Sequence, residues 1–181
     1  MAVTGQSRRG LLPRALAFGA VAGIVSGVIF ALFEMIVTAG MGGPFVMPLR
    51  MIAAIALGGD SLEAAGSLAS VLAVGAVVHL ALSAIYGVVF AAIVFLAHPI
   101  RRNLSATVLA GGVYGLLLWL VNFYLISPLA FPWFQKAPPL VQFFAHIIFF
   151  GAVLGVLTAT RLPLPVQRDG DARGRPTVAG R

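Results

Sequence analysis

The chain has 181 residues, of which 60% are hydrophobic and 9% charged, and twelve Lys+Arg against five Asp+Glu give a net charge of +7. A soluble globule carries roughly 25% charged residues. There is too little polar side chain here to cover a water-facing surface, which excludes a soluble enzyme, a disordered regulator and a secreted disulfide scaffold. The absence of cysteine removes disulfides, thiolate metal centres and iron–sulfur clusters.

A helix needs about 20 apolar residues to cross the hydrocarbon core of a bilayer. Residues 1–14 form a basic N-terminal segment with Arg8, Arg9 and Arg14. Ser7-Arg8-Arg9 followed by Leu11 and Leu12 resembles a twin-arginine start. The apolar run behind it is longer than a signal core and lacks a closing cleavage site, so a retained first span is expected over residues 15–39, with Glu34 its one charge. Residues 44–58 are apolar but too short to span and contain Arg50; they predict an interfacial or re-entrant helix, with its core over 49–57. Asp60, Ser61 and Glu63 come next as a polar turn of N-cap character.

The second span is expected over 68–97, free of Asp, Glu, Lys and Arg, and the third over 104–126. Between 127 and 139 stand Pro128, Pro132, Pro138 and Pro139 with Phe131, Trp133 and Phe134. Those prolines argue against regular helix, and the aromatic rings suit the headgroup layer. The fourth span is expected over 140–160, before a basic tail over 161–181 whose Pro, Gly and Arg content predicts disorder. The expected fold is therefore an all-α integral membrane protein: an antiparallel bundle of four transmembrane helices with a short helix between the first two.

Basic residues concentrate before the first span, at Arg101 and Arg102, and in the tail, whereas the other two connections carry only Arg50 and Lys136. The positive-inside rule then places both termini and the middle turn in the cytoplasm of a bacterial inner membrane. Basic residues that track topology in this way do not form a nucleic-acid surface, so the expected partners are the lipid bilayer and either further copies of the chain or a larger membrane complex. His98, beside Pro99 and Arg101, reads as a solvated interface residue at the cytoplasmic end.

Lipid gives apolar helices no hydrophobic reason to meet, so close packing depends on small residues. Gly19, Gly23 and Gly27 share a four-residue spacing that Ala31 continues; Gly111 and Gly115, and Gly151 and Gly155, repeat it; Gly75, His79, Ser83, Gly87 and Ala91 form a ridge in the second span.

Ionisable groups at membrane depth are expensive and mark functional sites. Glu34, His79 and His146 are such groups, and Asn122 is a fourth strongly polar one. At about 1.5 Å per residue all four fall in the outer half of the bilayer, each from a different helix. Glu34 and Asn122 continue the glycine ridges of their helices, and Ser83 and Tyr86 come after His79 at helical spacing. His146 shares a face with Gln142, but Gly155 falls about half a turn away from it. Glu34, His79 and His146 are candidate metal ligands, and the two imidazoles are candidate axial ligands for a haem. The same set without metal suits proton transfer or pH sensing. In a purely structural reading the groups hydrogen-bond across the bundle, or Glu34 pairs with Arg50. Ser83, Tyr86, Gln142 and Arg50 complete the candidate polar site. No phosphate loop, zinc-protease helix or serine elbow is present, and a non-enzymatic role is expected. Alternatives are an assembly subunit of a larger complex and a small transporter component.

Gly23-Ile24-Val25-Ser26, His79 with Ser83, and Pro132-Trp133-Phe134 with His146 further on resemble the YagU-like bacterial inner-membrane proteins. That resemblance implies a multi-pass inner-membrane protein linked to acid response, and it supplies no catalytic residues.

Overall fold

The computed structural model describes residues 3–63, 67–97 and 103–162. Helix α1 runs Val3–Gly40 and α2 runs Met47–Leu57. Helix α3 runs Leu68–Leu96, α4 Leu104–Ala130 and α5 Pro139–Arg161. Short 3-10 turns lie at Gly59–Leu62 and Pro132–Lys136. No strand occurs among the described residues. Helices α1, α3, α4 and α5 are each long and apolar enough to cross a membrane, and α2 is the short helix between the first two spans. His98, Arg101, Arg102 and the tail beyond Leu162, to which the sequence assigns a cytoplasmic face, lie outside the described residues.

The chain folds as an inverted globule. Val21, Val25, Leu32 and Ile36 on α1, Val77, Ile85 and Ile93 on α3, and Leu109 and Leu117 on α4 are exposed. So much aliphatic surface is stable only against lipid. Within, the helices form two close pairs. Gly19, Gly23 and Gly27 bring α1 against Ser83, Gly87 and Ala91 of α3; a Cβ on Gly23 would stand 2.9 Å from Gly87 Cα. Gly111 and Gly115 bring α4 against Gly151 and Gly155 of α5; a Cβ on Gly111 would stand 3.0 Å from Gly155 Cα. Gly75 serves a third seam, where α3 meets Leu49 and Ala53 of α2. The pairs close on one another through Phe30, Phe90, Val94, Phe150 and Leu154. Phe33 stacks on Phe149, centroids 3.8 Å apart, and Tyr114 Oη donates to Tyr86 O at 2.9 Å.

Both chain ends of the bundle, Val3 and Arg161, lie at one end, here the proximal end. The distal end holds α2 and both 3-10 turns. Gly42 and Gly58 have φ of +84° and +86° and flank α2, at bends that a side chain resists. Pro48 sits in the first turn of α2, where its missing N–H costs nothing.

Two local expectations are corrected. The polar turn does not cap α3: Ser61 Oγ donates to Gly58 O at 2.7 Å and closes its own 3-10 turn, while α3 starts after Ser67 without a side-chain cap. Pro128 does not stop α4, which passes through it to Ala130. The reason is a π-helical stretch over Val121–Ile126, after which Ser127 N–H donates to Asn122 O, five residues back. In that register Pro128 leaves Phe123 O without its donor. Gln135 Nε2 donates to this carbonyl at 2.8 Å and to Ser127 Oγ at 2.7 Å. Trp133, expected as a headgroup-layer ring, donates from its Nε1 to Met51 O at 3.0 Å, fastening the second 3-10 turn to α2. Trp133→Phe keeps an aromatic ring and loses this bond. The expected cost is about 0.5–1.5 kcal/mol, read as a lower thermal midpoint in detergent, with faster proteolysis of the segment 131–138.

Candidate functional site

A cavity of about 770 Å³ occupies the distal end, between the four spans and beneath α2 and the Pro132–Lys136 turn. Its walls are mainly apolar, from Phe30, Met47, Met51, Ile55, Phe123, Trp133 and Phe134 among others, while Glu34, His79, Tyr86, Asn122, Gln142 and His146 also line it. Glu63 and Lys136 line it as well and are exposed, which places one charge of each sign at the rim.

At the deep wall, Glu34 of α1 is 5% exposed. Gln142 Nε2 of α5 donates to its Oε1, a contact that crosses from one helix pair to the other. Among the described residues Glu34 has no cationic partner. Arg50 does not reach it: Arg50 is absent from the cavity lining, and its Nε is buried without a hydrogen-bond partner. The expected Glu34–Arg50 pair is therefore replaced by carboxyl–amide pairing, because α2 docks through the Leu49–Ala53 face onto Gly75 of α3.

The imidazoles have defined tautomers. A carbonyl only accepts, so His79 Nε2, 2.8 Å from Gly27 O, carries a proton and donates across the α1–α3 seam. His146 Nδ1 likewise donates to Gln142 O at 2.8 Å, one turn back in its own helix. Each ring therefore presents its other nitrogen, Nδ1 of His79 and Nε2 of His146, as a lone pair. Phe30 packs against both rings, with centroids 5.6 Å from His79 and 4.8 Å, edge-to-face, from His146. Phe123 meets His146 edge-to-face at 5.5 Å.

Helix α5 resolves the conflict between His146 and the glycine ridge. Ala145–Ala152 is π-helical. The wider turn shifts the angular phase of everything after it. As a result His146 lines the cavity while Gly151 and Gly155 face α4. The two π stretches, in α4 and α5, contain Asn122 and His146, so both irregular segments supply cavity side chains.

Of the candidate polar residues, Glu34, His79, Tyr86, Asn122, Gln142 and His146 come together at one cavity. Tyr86 Oη donates to Asn122 Oδ1 at 3.3 Å. Ser83 is not among them. It is buried in the α1–α3 seam beside Gly27, and its Oγ donates to His79 O at 2.7 Å. Among the described residues no three His, Cys, Asp or Glu side chains are grouped so as to hold a metal ion. For a haem, a phenyl ring rather than open space lies against both imidazoles. The residues missed by sequence reasoning are the apolar wall, above all Phe30, Met51 and Trp133, since nothing distinguishes a cavity-lining phenylalanine or methionine from a packed one by type or spacing.

The fold and its distal cavity define the class, a multi-pass α-helical membrane protein. No protein-family model, curated protein or solved structure matches the chain.

Proposed function

We propose that this chain is a non-enzymatic protein of a bacterial inner membrane, with both termini cytoplasmic, that binds a small ligand in its distal cavity. The observation that carries the reading is the combination of a 770 Å³ space with a buried, cation-free carboxyl at its deep wall, held by Gln142. Ligand sites have this composition, apolar walls with a few convergent polar groups, and this range of volume. Glu34, His79, Asn122, Gln142 and His146 are the recognition groups in this reading, with Tyr86 orienting Asn122. Membership of the YagU-like proteins belongs to the same proposal.

The rival readings are less well supported. The glycine ridges meet one another inside the chain, so they are not surfaces for an assembly partner. Transport needs a path onward from the cavity, and Phe90, Val94 and Leu154, all less than 2% exposed, fill the bundle on its proximal side.

The lack of cysteine makes the test direct. Val141→Cys places a thiol in the cavity lining, and Val94→Cys places one in the packed seam. A charged methanethiosulfonate added to intact cells is expected to label the first and leave the second unmodified. Thr160→Cys, exposed at the proximal end, should label only in inverted vesicles. Absence of labelling at Val141→Cys from either side overturns the ligand-binding reading, and labelling of Thr160→Cys in intact cells overturns the orientation.

A further inference from the structure

The chemistry facing the cavity is lopsided, and this points to the class of ligand. Each imidazole has spent its N–H on a backbone carbonyl and presents a lone pair. Glu34 is the one formally ionisable acid at the deep wall, and no cation among the described residues stands against it. Asn122 Oδ1 and one Gln142 N–H are engaged within the protein, so the donors left beside Glu34 are amide hydrogens and, one helical turn away, the Thr38 hydroxyl. A ligand that satisfies such a wall brings donors and positive charge. Its other end meets aromatic and thioether side chains. Phe123 and Trp133 are suited to a cation and to the hydrocarbon attached to it.

Resting on the ligand-binding reading above, we infer that the cavity takes a lipophilic ammonium, an amine carrying an aryl or alkyl body. Its N–H groups meet the Glu34 carboxylate and the His146 Nε2 lone pair, and its body lies along Phe123, Trp133 and Met51. Lys136 and Glu63 at the rim offset one another and impose no net charge on entry. Because the ammonium and a proton compete for one carboxylate, binding weakens as pH falls. The other titratable groups lining the cavity are His79, His146, Tyr86, Glu63 and Lys136. Protonating either imidazole adds positive charge beside the ligand and acts in the same direction. Competition with the one proton on Glu34 accounts for about tenfold in Kd per pH unit, and imidazole protonation steepens the fall further.

Three probes of one shape test this: 4-phenylbutylammonium, 4-phenylbutan-1-ol and 4-phenylbutyrate. The full chain in nanodiscs of zwitterionic lipid is titrated with each, against empty discs, and protection of Val141→Cys from labelling is read in parallel. The ammonium is expected to bind at least tenfold more tightly than the alcohol, and the carboxylate not at all. Glu34→Gln, which keeps size and a hydrogen-bonding group, should abolish the preference for ammonium over alcohol and flatten the pH dependence. Should that variant fail to fold, the preference and pH dependence of the unmodified protein stand as an independent test. Equal or tighter binding of the alcohol or the carboxylate overturns the inference, as does no binding of the ammonium above empty discs. In either case labelling of Val141→Cys leaves the ligand-binding reading standing, whereas its failure removes both.

Discussion

Gly87→Leu is expected to abolish the folded bundle, and Gly87→Ala to destabilise it by about 1–3 kcal/mol or more, as overpacking of a rigid seam does. The reason is what a Cβ would meet. At Gly87 it would lie 2.6 Å from Gly23 Cα and 2.8 Å from Gly23 N, with Gly19 O nearer still. These are backbone atoms of α1, so no side-chain rotation relieves the overlap and the two helices must separate. Separation withdraws the contacts at Gly19, Gly23 and Gly27 together, and in lipid those dispersion contacts have no hydrophobic substitute. Gly40→Ala is the control: its Cβ meets nothing within 4 Å, and alanine should be neutral or mildly stabilising at the end of α1. Thermal midpoints by fluorescence-detected size exclusion in mild detergent decide the matter. A Gly87→Ala midpoint equal to that of the unmodified chain would show that α1 and α3 do not pack through this ridge.

The same glycines show what a sequence of this kind discloses. The four spans are legible because the bilayer demands about 20 apolar residues in a row and tolerates few exceptions. The ridges are legible because the helical period is regular through α1 and α3. That Glu34, His79, Asn122 and His146 share a level comes from counting residues at a constant rise. Legibility ends where the period does. The π stretches at Val121–Ile126 and Ala145–Ala152 change the phase without any marker in residue type. A uniform 3.6-residue period therefore sets His146 against Gly155 and has α4 end before Pro128, when the actual register accommodates both. Arg50 is illegible for a different reason. Its partner depends on which face α2 docks, and Gly75 of α3 decides that by admitting Leu49 and Ala53. Ser83 carries the same chemistry whether it lines a cavity or seals a seam, and only the closeness of Gly27 tells which.

Gln142→Leu is expected to cost about 1–3 kcal/mol and Glu34→Leu a comparable amount, while the double replacement should cost less than either alone. The asymmetry comes from burial. Both side chains are under 9% exposed, so each single replacement leaves a polar partner with little access to water and without its protein partner. A group in that position forfeits much of its solvation, whereas removing both partners removes both penalties. A double-mutant cycle on thermal midpoints isolates the interaction, and a coupling of about 0.5–3 kcal/mol is the range for side chains in direct contact. Glu34→Gln separates stability from recognition. An amide at that position still meets Gln142, so the bundle should keep most of its stability while losing the charge that selects a cation. If stability and cation preference fell together in Glu34→Gln, the carboxylate would be a structural strut between α1 and α5. If stability holds and preference goes, the bond to Gln142 positions Glu34 for the cavity. A coupling near zero would mean that the two residues do not touch, and the deep wall of the cavity would then be built from other groups.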